Sequence, residues 1–346
     1  MKNSNNPTAK DVAKMANVST ATVSRVFNRS PKVNEDTLKR VLKAAEELNY
    51  RPSRVAQRLR GKRKNSMIIG LIITDMENPF FSEIARGVEE IAYKNKNAVM
   101  VCNSNEDKEK EKFYLETVVD EQVSGVILVP TPYNFKLVKK IINNGCPVVF
   151  VDRKFSNNDI RVDSVTVNNK SGSFRAIERL IKLGHRRIAV IKGLKKLSTT
   201  EERFEGYKEA LEAYGLPLED ELIFPSDSKE EGGRQSTKEL LSLKQRPTAI
   251  FSTNNLMTLG CLEELNSRGI KIPEDIALIG FDDMPWSTSL NPPLTAVRQP
   301  GYELGISAAD LLLKRISNPT RNASDIVLNP ELIVRKSCGG YSKRKK

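Results

Sequence analysis

The chain has one histidine, His185, in 346 residues. With a single imidazole, a His-based metal centre has little to be built from, and a Ser-His-Asp triad has one candidate base at most. The four cysteines, Cys102, Cys146, Cys261 and Cys338, lie far apart with no Cys-x-x-Cys pair, so they read as reduced thiols rather than zinc ligands or a disulfide framework. No Gly-x-Ser-x-Gly, His-Glu-x-x-His, P-loop or Gly-x-Gly-x-x-Gly occurs. We therefore expect no metal, no cofactor and no enzyme, carboxylate-only catalysis being the weaker alternative. The chain also lacks an apolar run long enough to span a bilayer, and its polar start near Met1 and Lys2 does not resemble a secretory signal, so a cytoplasmic protein with no membrane partner is expected.

What is present is unevenly distributed. The chain carries a net charge of +13. Residues 1–64 hold 16 Lys and Arg against 5 Asp and Glu, and the run Lys343 to Lys346 adds four more cations, so residues 65–342 are slightly acidic. Positive charge concentrated on a small helical unit is the footprint of a phosphate-backbone binder.

Within that unit, Thr8 with Asp11 forms a capping box ahead of a helix burying Val12, Ala13 and Ala16. Asn17 and Val18 make a tight turn, and Ser19 caps a second helix that buries Val23 and Val26. Asn34 caps a third, packed through Leu38, Val41, Leu42, Ala45 and Leu48. Two helices and a tight turn place the N-terminal face of the second helix for the major groove. That face offers Thr20, Ala21 and Arg25, with Arg25 suited to a guanine edge or a phosphate. Ser19, Thr22, Ser24 and Asn28 can donate to phosphates, or serve only as caps. Next, residues 50–61 hold four arginines and one apolar face, Val55, Ala56 and Leu59. This piece is too short to persist alone as a helix, so it is either a disordered linker or a helix formed on docking. An exposed Leu59 suits a wedge between base steps in a minor groove, or packing against a partner helix.

From Met67 onward, short apolar runs at 67–74, 98–102, 125–129 and 147–151 alternate with amphipathic stretches, and the pattern continues through 275–281. Continuous apolar strands between helices mean parallel sheets covered on both faces. There are too many strands for one small sheet, so two doubly wound subdomains are expected, with a ligand cleft beyond the strands' carboxyl ends.

Taken in order, these residues resemble the lactose/galactose repressor family of bacterial transcription regulators. The resemblance rests on Asp11-Val12-Ala13, Ala16, Val18-Ser19 and Thr22 to Val26 in the head, and on Tyr50, Pro52, Ser53, Ala56 and Leu59 in the hinge. In the core it rests on Asn78 to Phe81, Leu183 to Arg186, Arg203 with Gly206, Gly280 to Asp283, Pro293 to Thr295, and Gln299. It implies an all-α helix-turn-helix head with a hinge helix, then an α/β periplasmic-binding-protein-like core. The expected domains are 1–50 (head), 51–66 (hinge helix and linker), 67–162 with 291–320 (first subdomain), 163–290 with 321–338 (second subdomain) and 339–346 (basic tail). The strand after Thr295 is expected to return to the first subdomain.

Function follows from the same resemblance: a homodimeric repressor or activator, with a repressor of a carbohydrate operon as the leading reading, bound to double-stranded operator DNA and controlled by a small effector. Hinge residues Ser53, Ala56 and Leu59 fall at the operator centre. Arg203 and Asp282 match the family's effector-binding arginine and acid; Phe80 and Phe81 follow the first strand's carboxyl end as a ring cover or simple core, and Asn254, Gln299, Asp152 and Arg153 sit at other strand ends. A phosphorylated co-regulator protein is a further partner that the family allows. Asn168 and Asn255 stand where the family usually has Asp, and Ser228 where several relatives place a ring. With Arg153, Arg203 and Lys192 facing the cleft, amides in place of acids make the pocket positive and favour a sugar acid or sugar phosphate over a neutral hexose; the alternative is that Lys192 and Arg153 point to solvent or pair with Asp152, leaving a neutral-sugar pocket. Without a C-terminal leucine heptad the assembly is expected to stop at a dimer. A free-standing sugar-binding protein of the same core is the rival reading, but it has no use for the basic head.

Overall fold

A computed structural model describes residues 7–27, 30, 33–50, 67–155 and 160–339. The chain divides into two compact units, 1–66 and 67–346.

The described residues of the first unit form three helices, Ala9–Met15, Thr20–Phe27 and Glu35–Glu47, around Val12, Ala13, Val23, Val26, Val41 and Ala45. The caps are those the sequence predicts. Thr8 N donates to Asp11 Oδ2 at 2.7 Å, Ser19 Oγ accepts from Thr22 N at 3.1 Å, and Asn34 Oδ1 accepts from Thr37 N at 2.9 Å. Asn17 sits at φ +52°, the left-handed residue of the turn. The third helix differs from expectation. It turns Ala44 inward and leaves Leu38 and Leu42 exposed at 36% and 47%. The small core is already closed by alanines, and two leucines one turn apart find no room in it.

The second unit holds two six-stranded sheets. Strands β1 (Ile68–Ile73), β2 (Ala98–Asn103), β3 (Gly125–Leu128), β4 (Val148–Asp152) and β5 (Asp163–Val167) build the first, with β11 (Asp325–Leu328) at its edge in the order 11-5-4-3-1-2. Strands β6 (Ile188–Lys192), β7 (Ile223–Pro225), β8 (Ala249–Ser252), β9 (Ala277–Phe281) and β10 (Thr295–Arg298) build the second, with β12 (Glu331–Ile333) at its edge in the order 12-10-9-8-6-7. All pairings are parallel except that of β10 with β12. Each sheet is buried on both faces, the first between the side-chain clusters of Ile69 and Ile72, the second between those of Val190 and Ile191.

The subdomain boundaries fall elsewhere than expected. Strand β5 belongs to the first sheet, β10 stays in the second, and β11 returns to the first. The chain therefore crosses after Val167, after Arg298 and after Leu328, at the carboxyl ends of these strands rather than in the loops before them. It is helix Gly301–Ser317, not the strand after Thr295, that goes back to the first half, packing Leu304, Ala308 and Leu312 on that sheet.

That helix lies against Pro79–Lys94 through glycines. A Cβ on Gly87 would sit 2.3 Å from the Tyr302 carbonyl oxygen. Gly87→Ala should therefore lower stability by about 1–3 kcal/mol, read as a fall in the thermal midpoint. An unchanged midpoint would show that the helices move apart freely.

Candidate functional site

In the first unit, Thr20, Ala21 and Arg25 lie on the exposed face of helix Thr20–Phe27, opposite buried Val23 and Val26. Ser19 caps this helix, and its hydroxyl lies 2.9 Å from that of half-buried Thr22. Ser24 is half-buried beside them. The face is thus one exposed cation, one methyl and small hydroxyls, a surface that can approach a base edge without steric obstruction. Asn28, Ser53, Ala56 and Leu59 lie outside the described residues.

In the second unit, the eight expected effector residues, Phe80, Phe81, Asp152, Arg153, Arg203, Asn254, Asp282 and Gln299, line one cavity of about 60 Å³ between the two sheets. The backbone brings them together. Asp152 ends β4 and Asp282 follows β9, both left-handed at φ +70° and +76°, so each side chain turns off its strand into the cleft. Asn78 accepts from Phe80 N at 3.0 Å and starts helix Pro79–Lys94, which fixes Phe80 and Phe81, 5.2 Å apart edge to face.

Each cleft arginine is engaged through Nε and Nη1. Arg153 Nε donates to Asp152 Oδ2 at 3.1 Å and Nη1 to Glu106 Oε1 at 2.8 Å. Burial works against this charge, but Glu106 and Asp152 overcome it and hold the guanidinium more basic than usual. Arg203 Nε donates to Asn169 Oδ1 at 2.8 Å and Nη1 to the Thr253 carbonyl at 2.7 Å, with the guanidinium carbon 3.8 Å from the Phe281 ring centroid. Burial makes Arg203 less basic, against the pull of Asp282 and Asp152. Burial likewise raises the Asp282 carboxyl, opposed by Arg203 and by Gln299 Nε2, which donates to Asp282 Oδ1. Two acceptors remain: Asp152 Oδ1 and Gln299 Oε1 are buried with no hydrogen-bond partner.

Several expectations need correction. Lys192 does not line the cleft; its Nζ lies 3.7 Å from the Phe204 ring centroid. Nor is the pocket positive, because Asp75, Glu106, Asp152 and Asp282 face Arg153, Arg203 and Lys229. Asn168 caps a helix through Ser171 N, and Asn255 Nδ2 donates to Asn78 Oδ1 at 2.7 Å, so neither amide adds to the cavity wall. Asn254 does line the cavity, but Oδ1 accepts from Met257 N and Nδ2 donates to the Ser228 carbonyl, which leaves it a positioning part in the present geometry.

Sequence reasoning missed Asp75, Glu106, Thr253 and Lys229 in the wall. Asp75 and Thr253 follow the carboxyl ends of β1 and β8, the same signal that picks out Asp152 and Asp282. Lys229 carries no such signal. Its Nζ reaches across the cleft to Asp75 Oδ2 at 2.8 Å, and with Asn78–Asn255 it bonds the two halves together. Ser228 also lines the wall. Among the described residues, no group of His, Cys, Asp and Glu could hold a metal ion, and no helix is long and apolar enough to cross a membrane. His185 lies before β6, with Nδ1 2.9 Å from Thr248 Oγ1.

Comparison with known proteins agrees with both units. Residues 8–53 match the family described as bacterial regulatory proteins, lacI family, and residues 177–338 match a periplasmic binding protein-like domain. The repressor PurR of Aliivibrio salmonicida is 35% identical over 331 residues, covering 95% of this chain and 98% of that protein. Catabolite control protein A of Priestia megaterium is 37% identical over 333 residues, covering 96% and 99%. The chain belongs to the lacI family of bacterial regulatory proteins. It is a DNA-binding transcriptional repressor, and not an enzyme. The solved structure of the lac repressor dimer bound to operator and the anti-inducer ONPF superposes with a TM-score of 0.80 at 28% identity, covering 97% of this chain and 100% of that one. That of the CelR–cellobiose complex gives 0.73 at 31%, covering 96% and 99%.

Lys229→Met should speed backbone hydrogen exchange around residues 74–80 and 226–232, leaving β1 and β8 protected. Unchanged exchange in both segments would mean that the ion pair does not hold the halves together.

Proposed function

We propose that this repressor works as a homodimer on a two-fold symmetric operator and is controlled by a neutral sugar held between the two halves of its second unit. The observation that carries the ligand class is the pair of buried acceptors without partners, Asp152 Oδ1 and Gln299 Oε1. A buried acceptor costs free energy until a donor reaches it, and sugar hydroxyls are donors. A carboxylate or phosphate brings only more acceptors. It would also meet the carboxylates Asp75, Glu106, Asp152 and Asp282 in the same wall. The rings of Phe80 and Phe81 supply the apolar wall that a sugar's C–H face uses. Relatives support the class: one solved structure holds cellobiose and another ribose. The sugar acid or sugar phosphate suggested by the sequence loses its basis with the positive pocket, and no phosphorylated co-regulator is proposed.

Calorimetric titration of the full chain with neutral sugars and their matched uronic acids and phosphates tests this. A neutral member should bind tighter than its anionic counterpart, and Gln299→Ala should weaken it by about 1–2 kcal/mol, or roughly tenfold. Tight binding of the anions alone would contradict the reading.

The DNA side rests on the basic first unit and on the exposed face around Arg25. We place Thr20, Ala21 and Arg25 at base edges, and Ser19, Thr22 and Ser24 at phosphates. Arg25→Ala should cost about 1–3 kcal/mol on the operator and much less on random DNA. An equal loss on both would make Arg25 a phosphate contact.

A further inference from the structure

We propose that the cavity beside the cleft is a second sugar subsite, so that the effector is a disaccharide or glycoside whose second ring lies there. This rests on the reading of the cleft as a sugar site. The cavity has a volume of about 220 Å³ and shares Arg153 and Leu197 with the cleft wall, so it continues the cleft rather than standing apart from it. It lies between the same halves: Pro132, Phe135 and Phe155 come from the first, Lys196 and Ser198 from the second.

Its chemistry is that of a ring platform. Phe155 is half-exposed and held from behind by Phe150, 5.5 Å away, and from the side by Phe135, 5.2 Å away, both edge to face. A ring so fixed offers a flat apolar surface at little entropic cost. The opposite loop is fixed too. The buried Glu111 carboxylate accepts from Thr131 N at 2.6 Å, from the Thr131 hydroxyl at 2.5 Å and from Asn134 Nδ2 at 2.6 Å. Burying a carboxylate is costly, and here three hydrogen bonds offset the cost to hold one loop between two prolines.

A phosphate fits less well. Arg153 is matched by Glu106 and Asp152, and Lys154 Nζ lies 2.9 Å from Asp325 Oδ1. That leaves Lys196, exposed at the rim, as an N–H donor to a sugar hydroxyl.

The test is calorimetry on the full chain with glucose, galactose and xylose, the disaccharides cellobiose, maltose, lactose, trehalose and xylobiose, and glucose 6-phosphate. At least one disaccharide should bind about tenfold tighter than its component monosaccharides. Phe155→Ala should remove most of that gain while leaving monosaccharide affinity within about twofold. Lys196→Ala, at an exposed position that cannot unsettle the fold, should cut the gain about two- to fivefold. The proposal is overturned if no disaccharide gains over its monosaccharides, if glucose 6-phosphate alone gains, or if Phe155→Ala weakens both classes equally. Gln299→Ala separates the two readings. If it weakens monosaccharides and no disaccharide gains, the cleft reading stands and the subsite falls; if it weakens no sugar, both fall.

Discussion

Charge burial at the carboxyl ends of two strands is the constraint on which the second unit depends. Asp152 and Asp282 leave β4 and β9 in left-handed backbone, and each enters the cleft beside an arginine. Buried guanidinium groups cannot be left bare, and here carboxylates, a carbonyl and an amide engage their Nε and Nη1 atoms from within the chain. Beside the engaged Nε and Nη1 donors, the buried acceptors Asp152 Oδ1 and Gln299 Oε1 are left for donors from outside. The ligand class therefore follows from the unpaired acceptors and the acids in the wall, not from the number of arginines.

The same edges carry the three crossings. The chain passes between the halves after β5, β10 and β11, so each crossing leaves from the end of its sheet that faces the cleft. A ligand gripping Asp152 on one side and Asp282 or Gln299 on the other acts where the halves are joined. Lys229–Asp75 and Asn255–Asn78 already span the gap, and each bond that a ligand adds between halves favours the closed arrangement by its differential free energy. Short connections at the edge let a few contacts govern the relation of two large rigid bodies.

Much of this was legible in residue order. The caps at Thr8, Ser19 and Asn34, the apolar strands from Ile68 to Phe281, and the eight residues gathered in one cavity all follow from local pattern or family motif. What was not legible depends on partners chosen across the fold. The apolar pattern of Thr295–Arg298 says strand, but only pairing with β9 says which sheet. Lys192 looks like a cleft cation at the end of β6, yet it turns to Phe204, a neighbour supplied by the next helix. Lys229 and Asp75 are 154 positions apart, and no spacing rule joins them. Leu38 and Leu42 fit a helical stripe, but the alanine-lined core was already full.

The account is tested most directly by the crystal structure of the full chain with the tightest-binding neutral sugar. It predicts sugar hydroxyls within hydrogen-bond distance of both Asp152 Oδ1 and Gln299 Oε1, with the Arg153–Glu106 and Arg203–Asn169 bonds intact. A ligand bound through an anionic group to Arg153 or Arg203, with the two acceptors still unpaired, would contradict it.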